Sequence, residues 1–295
     1  MQILQKAEDL RSLLTRFRAV GMTIGFVPTM GNLHGGHLSL VEAARRDCDI
    51  VIVSIFVNPL QFGLDEDLDT YPRTLEADKR LLVNHGCDIL FAPSVTDMYP
   101  DGKSIATLVD MPSLSSLHCG VSRPQFFRGV ATVVVKLLCM VQPDMAYFGE
   151  KDRQQLTIIR QVVSDLSIPV KIIGVATKRA TSGLALSSRN HYLSDDERQL
   201  AASLYQVLIE TGQQMYQSST DLNQLEADAG ARLIGLGFEL DYVHICQQGS
   251  LLKAQAGDQE IAILVAVTLN GTRLIDNIVF DLRDPYPYVA GHKVD

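Results

Sequence analysis

The sequence predicts an α/β protein: a Rossmann-like, doubly wound parallel sheet followed by a second, smaller α+β domain at the C-terminus. Short apolar segments alternate with segments of helical periodicity through the first part of the chain, a pattern typical of a parallel sheet covered by helices. Residues 49–57 are almost continuously apolar and β-branched, as expected for a strand buried on both faces. Near the C-terminus, Asn270-Gly271 separates two strand-like segments and indicates an antiparallel hairpin.

The elements of the first domain, predicted at residues 1–176, follow from periodicity and residue type. Residues 5–19 carry apolar side chains on one side and arginines on the other, which predicts an amphipathic helix. Residues 22–27 are short and apolar and predict a strand, and apolar residues after His37 recur at helical spacing. Residues 93–129 are loop-rich because they contain four prolines, whereas the apolar run at 129–140 is too long for one strand and predicts a helix. The remaining elements are predicted as a helix at 75–85, strands at 87–92, 145–148 and 170–175, and a helix at 154–164.

The alternation ends in a polar, Ser-rich stretch at 177–190, which we interpret as a hinge and active-site loop. Beyond it, residues 191–295 predict a smaller α+β lid domain. Residues 194–236 are mostly helical in pattern, and strands are predicted at 240–245, 261–267 and 272–278.

Composition and charge exclude several classes of protein. The chain has 295 residues, 46% of them hydrophobic and 20% charged, as in globular proteins. Its net charge of −8 argues against a nucleic-acid partner. No apolar run approaches the roughly 18 residues of a membrane span, and the start lacks the form of a signal peptide. The five cysteines are scattered without Cys-x-x-Cys spacing, so we expect reduced thiols in a cytoplasmic protein with no membrane partner.

The first candidate site lies where the strand at 22–27 turns into a helix. Free backbone N–H groups at a helix start bind phosphate, and glycines allow the backbone to approach it closely. Two histidines three residues apart can face one ligand. The stretch is neither a dinucleotide fingerprint nor a P-loop, but it resembles the His-x-Gly-His signature of nucleotidyltransferases, which act at the α-phosphate of a nucleotide. A metal pair, or a helix start that requires glycine, is the alternative. The stretch reads Met30-Gly31-Asn32-Leu33-His34-Gly35-Gly36-His37.

Three further polar clusters carry candidate residues. Gly149-Glu150-Lys151-Asp152 follows a strand, and its lysine suits phosphate while its aspartate suits ribose hydroxyls; a solvated turn is the alternative. Leu186-Ser187-Ser188-Arg189 could clamp a triphosphate or serve as a polar linker. Asn58 and Gln61 suit a hydroxyl or carboxylate, or simple turn chemistry.

Other acidic and histidine residues are assigned no chemistry. Residues 66–69 are acidic, and we interpret them as a solvated loop rather than a magnesium site. The histidines without a partner at suitable spacing are interpreted as structural or surface residues: His85, His118, His191, His244 and His292. A metal centre at His34 and His37 lacks a third ligand.

Taken in order, these segments resemble the pantothenate synthetases, a family of ATP-dependent ligases that join pantoate to β-alanine. The resemblance covers nearly the whole chain, through residues 28–40, 56–62, 66–67, 71–74, 123–134, 148–155, 183–190 and 272–277. The sequence also departs from the family pattern. Asn32 replaces Ala, Gly35 replaces Glu, Phe126 replaces His, Arg153 replaces an aromatic residue, and Ala180 and Ser182 replace Glu and Asp.

The resemblance implies that pantoate carboxylate attacks the ATP α-phosphate to give pantoyl adenylate and pyrophosphate, after which the β-alanine amine displaces AMP. Mg²⁺ would be bound mainly through the ATP phosphates, with no protein metal site, and the protein would be a homodimer. The implied catalytic residues are His37, His34, Lys151, Ser188 and Arg189. The implied ATP-binding residues are those of 30–37 and 149–152, with Lys178, Leu186, Ser187, Ser188 and Arg189. The residues implied for pantoate and β-alanine are Gln61, Gln155 and Asn58.

Two rival functions share part of this pattern. A nucleotidyltransferase that leaves the nucleotide on its product would share the two histidines but not the pair Gln61 and Gln155. A catalytically silent nucleotide-binding module would not need His34, His37, Lys151 and Arg189 together. The identity of the product separates the first rival, and ATP binding without turnover would indicate the second.

Overall fold

The structure is a computed structural model, which describes residues 1–63, 66–100, 102, 107–216 and 221–284. It divides into two compact units: the first comprises Met1–Gly149 and Gln154–Val175, and the second comprises Glu150–Arg153 and Ala176–Asp295. Residues 150–153 and 176 therefore group with the second unit, whereas the sequence assigned them to the first domain. The hinge at 177–190 and the lid at 191–295 stay predictions. His292 and the tail beyond residue 284 lie outside the described residues.

The first unit contains a six-stranded parallel sheet, which confirms the predicted doubly wound fold. The strand order is β1-β4-β3-β2-β5-β6, with bounds β1 Gln2–Leu4, β2 Ile24–Thr29, β3 Ile50–Ile55, β4 Ile89–Phe91, β5 Met145–Gly149 and β6 Lys171–Val175. The sequence did not predict β1, because three residues are too few to show a period. Its pairing with β4, in the register Gln2 to Ile89, places it in the sheet.

Helices cover both faces of this sheet, as alternation along β3 shows. Ile52 belongs to one buried cluster and Val51 and Val53 to another, so successive side chains pack on opposite faces. This two-sided burial explains the long apolar run at 49–57, in which Ile50 to Ser54 are buried. The helices are α1 Ala7–Ala19, α2 Gly35–Asp47, α3 Leu75–Asn84, α4 Val95–Met98, α5 Pro112–Ser115, α6 Cys119–Ser122, α7 Phe126–Val141 and α8 Arg153–Asp165. Three of them, α4 to α6, are single turns inside the segment predicted as loop-rich.

The second unit packs three helices and an antiparallel sheet around its own apolar core. The helices are α9 Asp195–Ala201, α10 Ser203–Gln214 and α11 Leu222–Gly235, and the strands, in the order β7-β8-β9, are Glu239–Gln247, Glu260–Leu269 and Thr272–Asp281. Asn270 and Gly271 both have positive φ, 45° and 77°, as a tight hairpin turn requires, which confirms the predicted hairpin. Among the described residues, no helix has the length and apolar character to span a bilayer.

Candidate active site

The histidine segment joins β2 to α2 through a tight backbone turn. Gly31 and Asn32 have positive φ, 82° and 51°, a conformation that glycine adopts without strain. A Cβ atom on Gly31 would lie 3.1 Å from Ile55 Cγ2 and 3.2 Å from Asp78 Oδ2. Gly31 therefore provides both the left-handed turn and the space for a close approach.

His34 and His37 cap the start of α2 with their ring nitrogens. His34 Nδ1 accepts a hydrogen bond from the Gly36 backbone N–H at 3.1 Å, and His37 Nδ1 accepts one from the His34 N–H at 3.4 Å. The ring centroids are 4.1 Å apart. A nitrogen that accepts a hydrogen bond carries no proton, so each neutral ring has its N–H at Nε2. The two capping bonds thus hold both rings next to one another at the start of α2.

Asp78 holds the backbone of this segment, and sequence reasoning missed it. Its side chain is buried, with 1% exposure. Oδ1 accepts from the Leu33 N–H at 2.8 Å, and Oδ2 accepts from the Asn32 N–H at 3.0 Å and the Thr74 hydroxyl at 3.2 Å. Two backbone N–H groups of the predicted phosphate loop are therefore bonded to a carboxylate. The only local signal was an acid in the first turn of α3, which also has an ordinary capping explanation.

Asn58 is bonded entirely within the protein and orients Gln61. Its amide nitrogen donates to Gln61 Oε1 and to the Gly129 carbonyl, both at 3.1 Å. Its oxygen accepts from the Tyr99 hydroxyl at 2.9 Å and from the Leu60 N–H at 3.3 Å. Burial raises the pKa of Tyr99, so this hydroxyl stays protonated as a donor. The Asn58 amide is thus satisfied without a ligand.

Glu66 is paired, in contrast to the solvated loop that we predicted for residues 66–69. Arg123 donates to it through Nε at 2.6 Å and through NH2 at 2.5 Å. The same guanidinium donates to the Gln61 carbonyl at 3.4 Å and lies 3.7 Å from the centre of the Phe126 ring. Phe126, where the family usually has histidine, therefore contributes a cation–π contact that supports the Gln61 turn.

The two adjacent glutamines of α8 have different environments. Gln154 is buried; its oxygen accepts from the Cys119 N–H at 3.1 Å, and its nitrogen donates to the carbonyls of Leu114 and Leu117 at 2.9 and 2.7 Å. Gln155 is half-buried, and its amide bonds to no other residue in the described part of the chain. Gln154 is therefore structural, and Gln155 has the hydrogen-bonding capacity that a ligand site needs.

In the second unit, Glu150–Asp152 forms a 3₁₀ turn that contains Lys151. Lys151 Nζ lies 3.5 Å from Asp152 Oδ1, and the lysine side chain is 16% exposed. The Asn277 amide nitrogen donates to the carbonyls of Glu150 and Lys151 at 3.0 and 2.8 Å. These two bonds join the backbone of residues 150 and 151 to β9 of the second unit.

Residues 177–190 are ordered by Arg179. Its guanidinium makes a two-pronged ion pair with Asp276 at 2.6 and 2.9 Å, donates to the Gly183 carbonyl at 3.1 Å, and lies 3.6 Å from the centre of the Tyr205 ring. An isolated bridge pairs Arg179 with Ala185. The segment is therefore a turn with a fixed shape.

Several of the predicted ATP-binding residues lie on this turn. Lys178 is exposed, and its carbonyl accepts from the Leu186 N–H at 2.9 Å. Ser187 Oγ accepts from the Arg189 N–H at 3.3 Å and caps the 3₁₀ turn Ser188–Tyr192. The departures Ala180 and Ser182 leave the turn intact, because Ala180 contributes backbone bonds to Gly183 and Leu184.

No group of three or more His, Cys, Asp or Glu side chains with metal-binding geometry occurs in residues 1–63, 66–100, 102, 107–216 and 221–284.

Comparisons with known proteins agree over nearly the whole chain. A model of the family described as pantoate-beta-alanine ligase matches residues 2–279. The pantothenate synthetase of Pseudomonas fluorescens is 52% identical over 285 residues, 97% of this chain and 100% of that protein. The crystal structure of pantothenate synthetase from Thermus thermophilus has a TM-score of 0.87 and 44% identity, covering 94% of this chain and 99% of that one. The pantoate-beta-alanine ligase of Francisella tularensis, complexed with beta-gamma ATP and β-alanine, has a TM-score of 0.79 and 36% identity, covering 96% and 98%.

Proposed function

The chain belongs to the pantoate–β-alanine ligase family, and from that premise we propose which of its residues carry the family's reaction. The protein is an ATP-dependent ligase of pantothenate biosynthesis. It condenses (R)-pantoate with β-alanine to give pantothenate, AMP and pyrophosphate through pantoyl adenylate.

The first step brings two anions together, so the site must stabilise the charge that builds up on the α-phosphate. We assign that role to His34 and His37. The supporting observation is the pair of capping bonds, which hold both rings through Nδ1 at the start of α2. Because the rings are held before substrate binds, they need little reorganisation when the charge develops. His37 is assigned as the main hydrogen-bond donor to the reacting α-phosphate.

The other cationic and hydroxyl groups of the ATP site are assigned from the second unit. Lys151, Ser188 and Arg189 would neutralise the polyphosphate, since lysine and arginine are strong partners for phosphate oxygens. Gly149 and Asp152 would hold the ribose. The remaining proposed ATP contacts are Met30, Gly31, Asn32, Leu33, Gly35, Gly36, Glu150, Lys178, Leu186 and Ser187. For Asn32 and Leu33 these contacts would not use the backbone N–H groups, because Asp78 already accepts them.

Gln61 and Gln155 are assigned to pantoate, and Gln61 also to the β-alanine side. The Gln61 amide nitrogen lies 3.0 Å from Met30 Sδ, a weak acceptor that a substrate oxygen can replace at little cost. Asn58 acts through Gln61, whose oxygen it holds. In the second step the β-alanine amine attacks the adenylate carbonyl and AMP leaves. Alignment of two bound reactants can supply roughly 7–11 kcal/mol of the barrier reduction.

Three further properties belong to the proposal. Mg²⁺ enters with ATP, bound mainly through its phosphates, since it usually keeps few protein ligands. The protein is a cytoplasmic homodimer, and light scattering of the purified enzyme would detect the dimer.

A product assay with ATP, Mg²⁺, (R)-pantoate and β-alanine tests the proposed function. We expect AMP and pyrophosphate to form only with pantoate present, and pantothenate only after β-alanine is added. ADP in place of AMP would contradict chemistry at the α-phosphate. ATP binding without turnover would indicate a silent nucleotide-binding module instead.

A further inference from the structure

One dipeptide of β9 is bonded to both segments of the second unit that carry proposed ATP contacts. Asp276 and Asn277 are buried, with 4% and 6% exposure. Asp276 holds Arg179, which orders residues 177–190. Asn277 donates to the consecutive carbonyls of Glu150 and Lys151.

Arg153 fixes the orientation of the Asn277 amide. Its Nε donates to Asn277 Oδ1 at 3.2 Å, and its NH2 lies 3.5 Å from Glu150 Oε2. Because Oδ1 accepts from a guanidinium, the amide nitrogen must face the two carbonyls. Arg153 is buried, with 6% exposure, and it stands where the family usually has an aromatic residue. Arg153, which departs from the family pattern, therefore belongs to a polar network with Asn277 and Glu150.

We propose that Asn277 and Asp276 are positioning residues for ATP, and that Arg153 sets the direction in which the Asn277 amide donates. The inference rests on the proposed role of Lys151 at the phosphates. Lys151 is useful only if its backbone is held where the side chain reaches the polyphosphate, and the two carbonyl bonds hold that backbone. Loss of these contacts should therefore impair the first step of the reaction, which uses the triphosphate.

The two steps of the reaction can be measured separately, and this separates a positioning role from a purely structural one. Pantoate-dependent exchange of labelled pyrophosphate into ATP reports the first step, which requires bound triphosphate. Conversion of supplied pantoyl adenylate and β-alanine to pantothenate and AMP reports the second step, which does not. A positioning residue for the triphosphate affects the first step selectively, whereas general loss of folded protein lowers both in proportion.

The decisive variant is Asn277→Asp, which keeps Oδ1 for Arg153 but turns a second oxygen toward two carbonyl oxygens. We expect the KM for ATP in the exchange assay to rise about 10-fold or more, with the second step changed less than about 2-fold; a tenfold change corresponds to about 1.4 kcal/mol. Asn223→Asp is the matched control, since Asn223 is an exposed residue of the same unit. It should behave as wild type.

Arg153→Met provides a second test if Asn277→Asp does not fold. It removes the partner of Oδ1 and leaves Asn277 in place, so the KM for ATP should rise in the same direction by a smaller factor. Arg153→Lys, which keeps a donor, should recover part of the loss.

Lys151→Met separates the inference from its premise. If it leaves the exchange reaction unchanged, the proposed role of Lys151 is wrong, and with it the premise of the inference. If Lys151→Met impairs exchange while neither Asn277→Asp nor Arg153→Met changes the KM for ATP, the positioning role is overturned. Equal losses in both steps for the Asn277 and Arg153 variants would overturn it as well.

Discussion

The two units hold their proposed catalytic groups by different means. In the first unit, His34 and His37 are fixed by backbone bonds of their own helix start, within three residues of each other. In the second unit, Lys151 lies in a turn, and its backbone carbonyl accepts a hydrogen bond from the Asn277 side chain, 126 residues further along the chain. A site held by local capping can be recognised from a short sequence motif. A site held by side chains from distant parts of the chain cannot be recognised in that way.

The substitution with the largest expected effect removes one of the two capping histidines in the first unit. His37→Ala should lower adenylate formation by roughly 10² or more, because it removes a donor aimed at developing charge. It also removes the cap on the His34 N–H, which costs about 1 kcal/mol and leaves the protein folded. Pyrophosphate exchange measures the rate, and urea unfolding measures stability.

His85→Ala is the control for that variant. His85 lies in the same unit, bonded to the Leu81 carbonyl and outside the proposed site, so exchange should be unchanged. Near-normal turnover by His37→Ala would remove His37 from the mechanism.

Asp78→Asn tests a long-range support of the histidine segment in the first unit. An amide nitrogen in place of a carboxylate oxygen would face a backbone N–H, so a buried donor loses its acceptor. We expect the free energy of unfolding to fall by roughly 2–3 kcal/mol, with slower adenylate formation as the loop shifts. Glu76→Gln, on the same helix but exposed, should change stability by less than about 0.5 kcal/mol. Equal stability of the two variants would show that Asp78 does not hold the loop.

Substitution of one glycine in each unit, Gly129 and Gly212, compares how a packing change in that unit affects substrate binding. A Cβ atom on Gly129 would overlap the Leu60 carbonyl oxygen and lie 2.8 Å from Gln61 Cα; on Gly212 it would overlap the Phe280 ring. Both Gly→Ala variants should lose about 1–3 kcal/mol of stability. Only Gly129→Ala should also raise the KM for pantoate, because it displaces the turn that carries Gln61. A similar rise in the Gly212 variant would contradict the assignment of pantoate to that turn.

The smallest effect concerns cysteine reactivity in the folded protein. Burial raises the pKa of the Cys87 and Cys246 thiols to about 12, and Cys139 is exposed. At mildly alkaline pH a thiol reagent should modify Cys139 quickly and the other cysteines only after unfolding. The variant Cys139→Ser should remove the fast phase; a fast phase that persists would show that a buried thiol is accessible. With rising urea, labelling of Cys87 and Cys246 would report the opening of the two units separately.

The sequence predicted what is encoded locally. The strand-to-helix turn at His34 and the hairpin at Asn270 are signalled by residues next to one another, and the structure contains both elements. The sequence did not predict β1, whose pairing with β4 depends on residues far away. Asp78 and Asn277 were missed as supports for the same reason, since a buried polar side chain shows its partners only after folding.

Oxygen transfer from pantoate to AMP tests the central claim most directly. The enzyme would convert pantoate labelled with ¹⁸O in both carboxylate oxygens, together with ATP and β-alanine, and mass spectrometry would read the AMP. If the carboxylate attacks the α-phosphate, each AMP keeps one ¹⁸O after the amine displaces it, and pantothenate keeps the other. Unlabelled AMP, or label in inorganic phosphate, would contradict an adenylate intermediate and the roles assigned to His34 and His37.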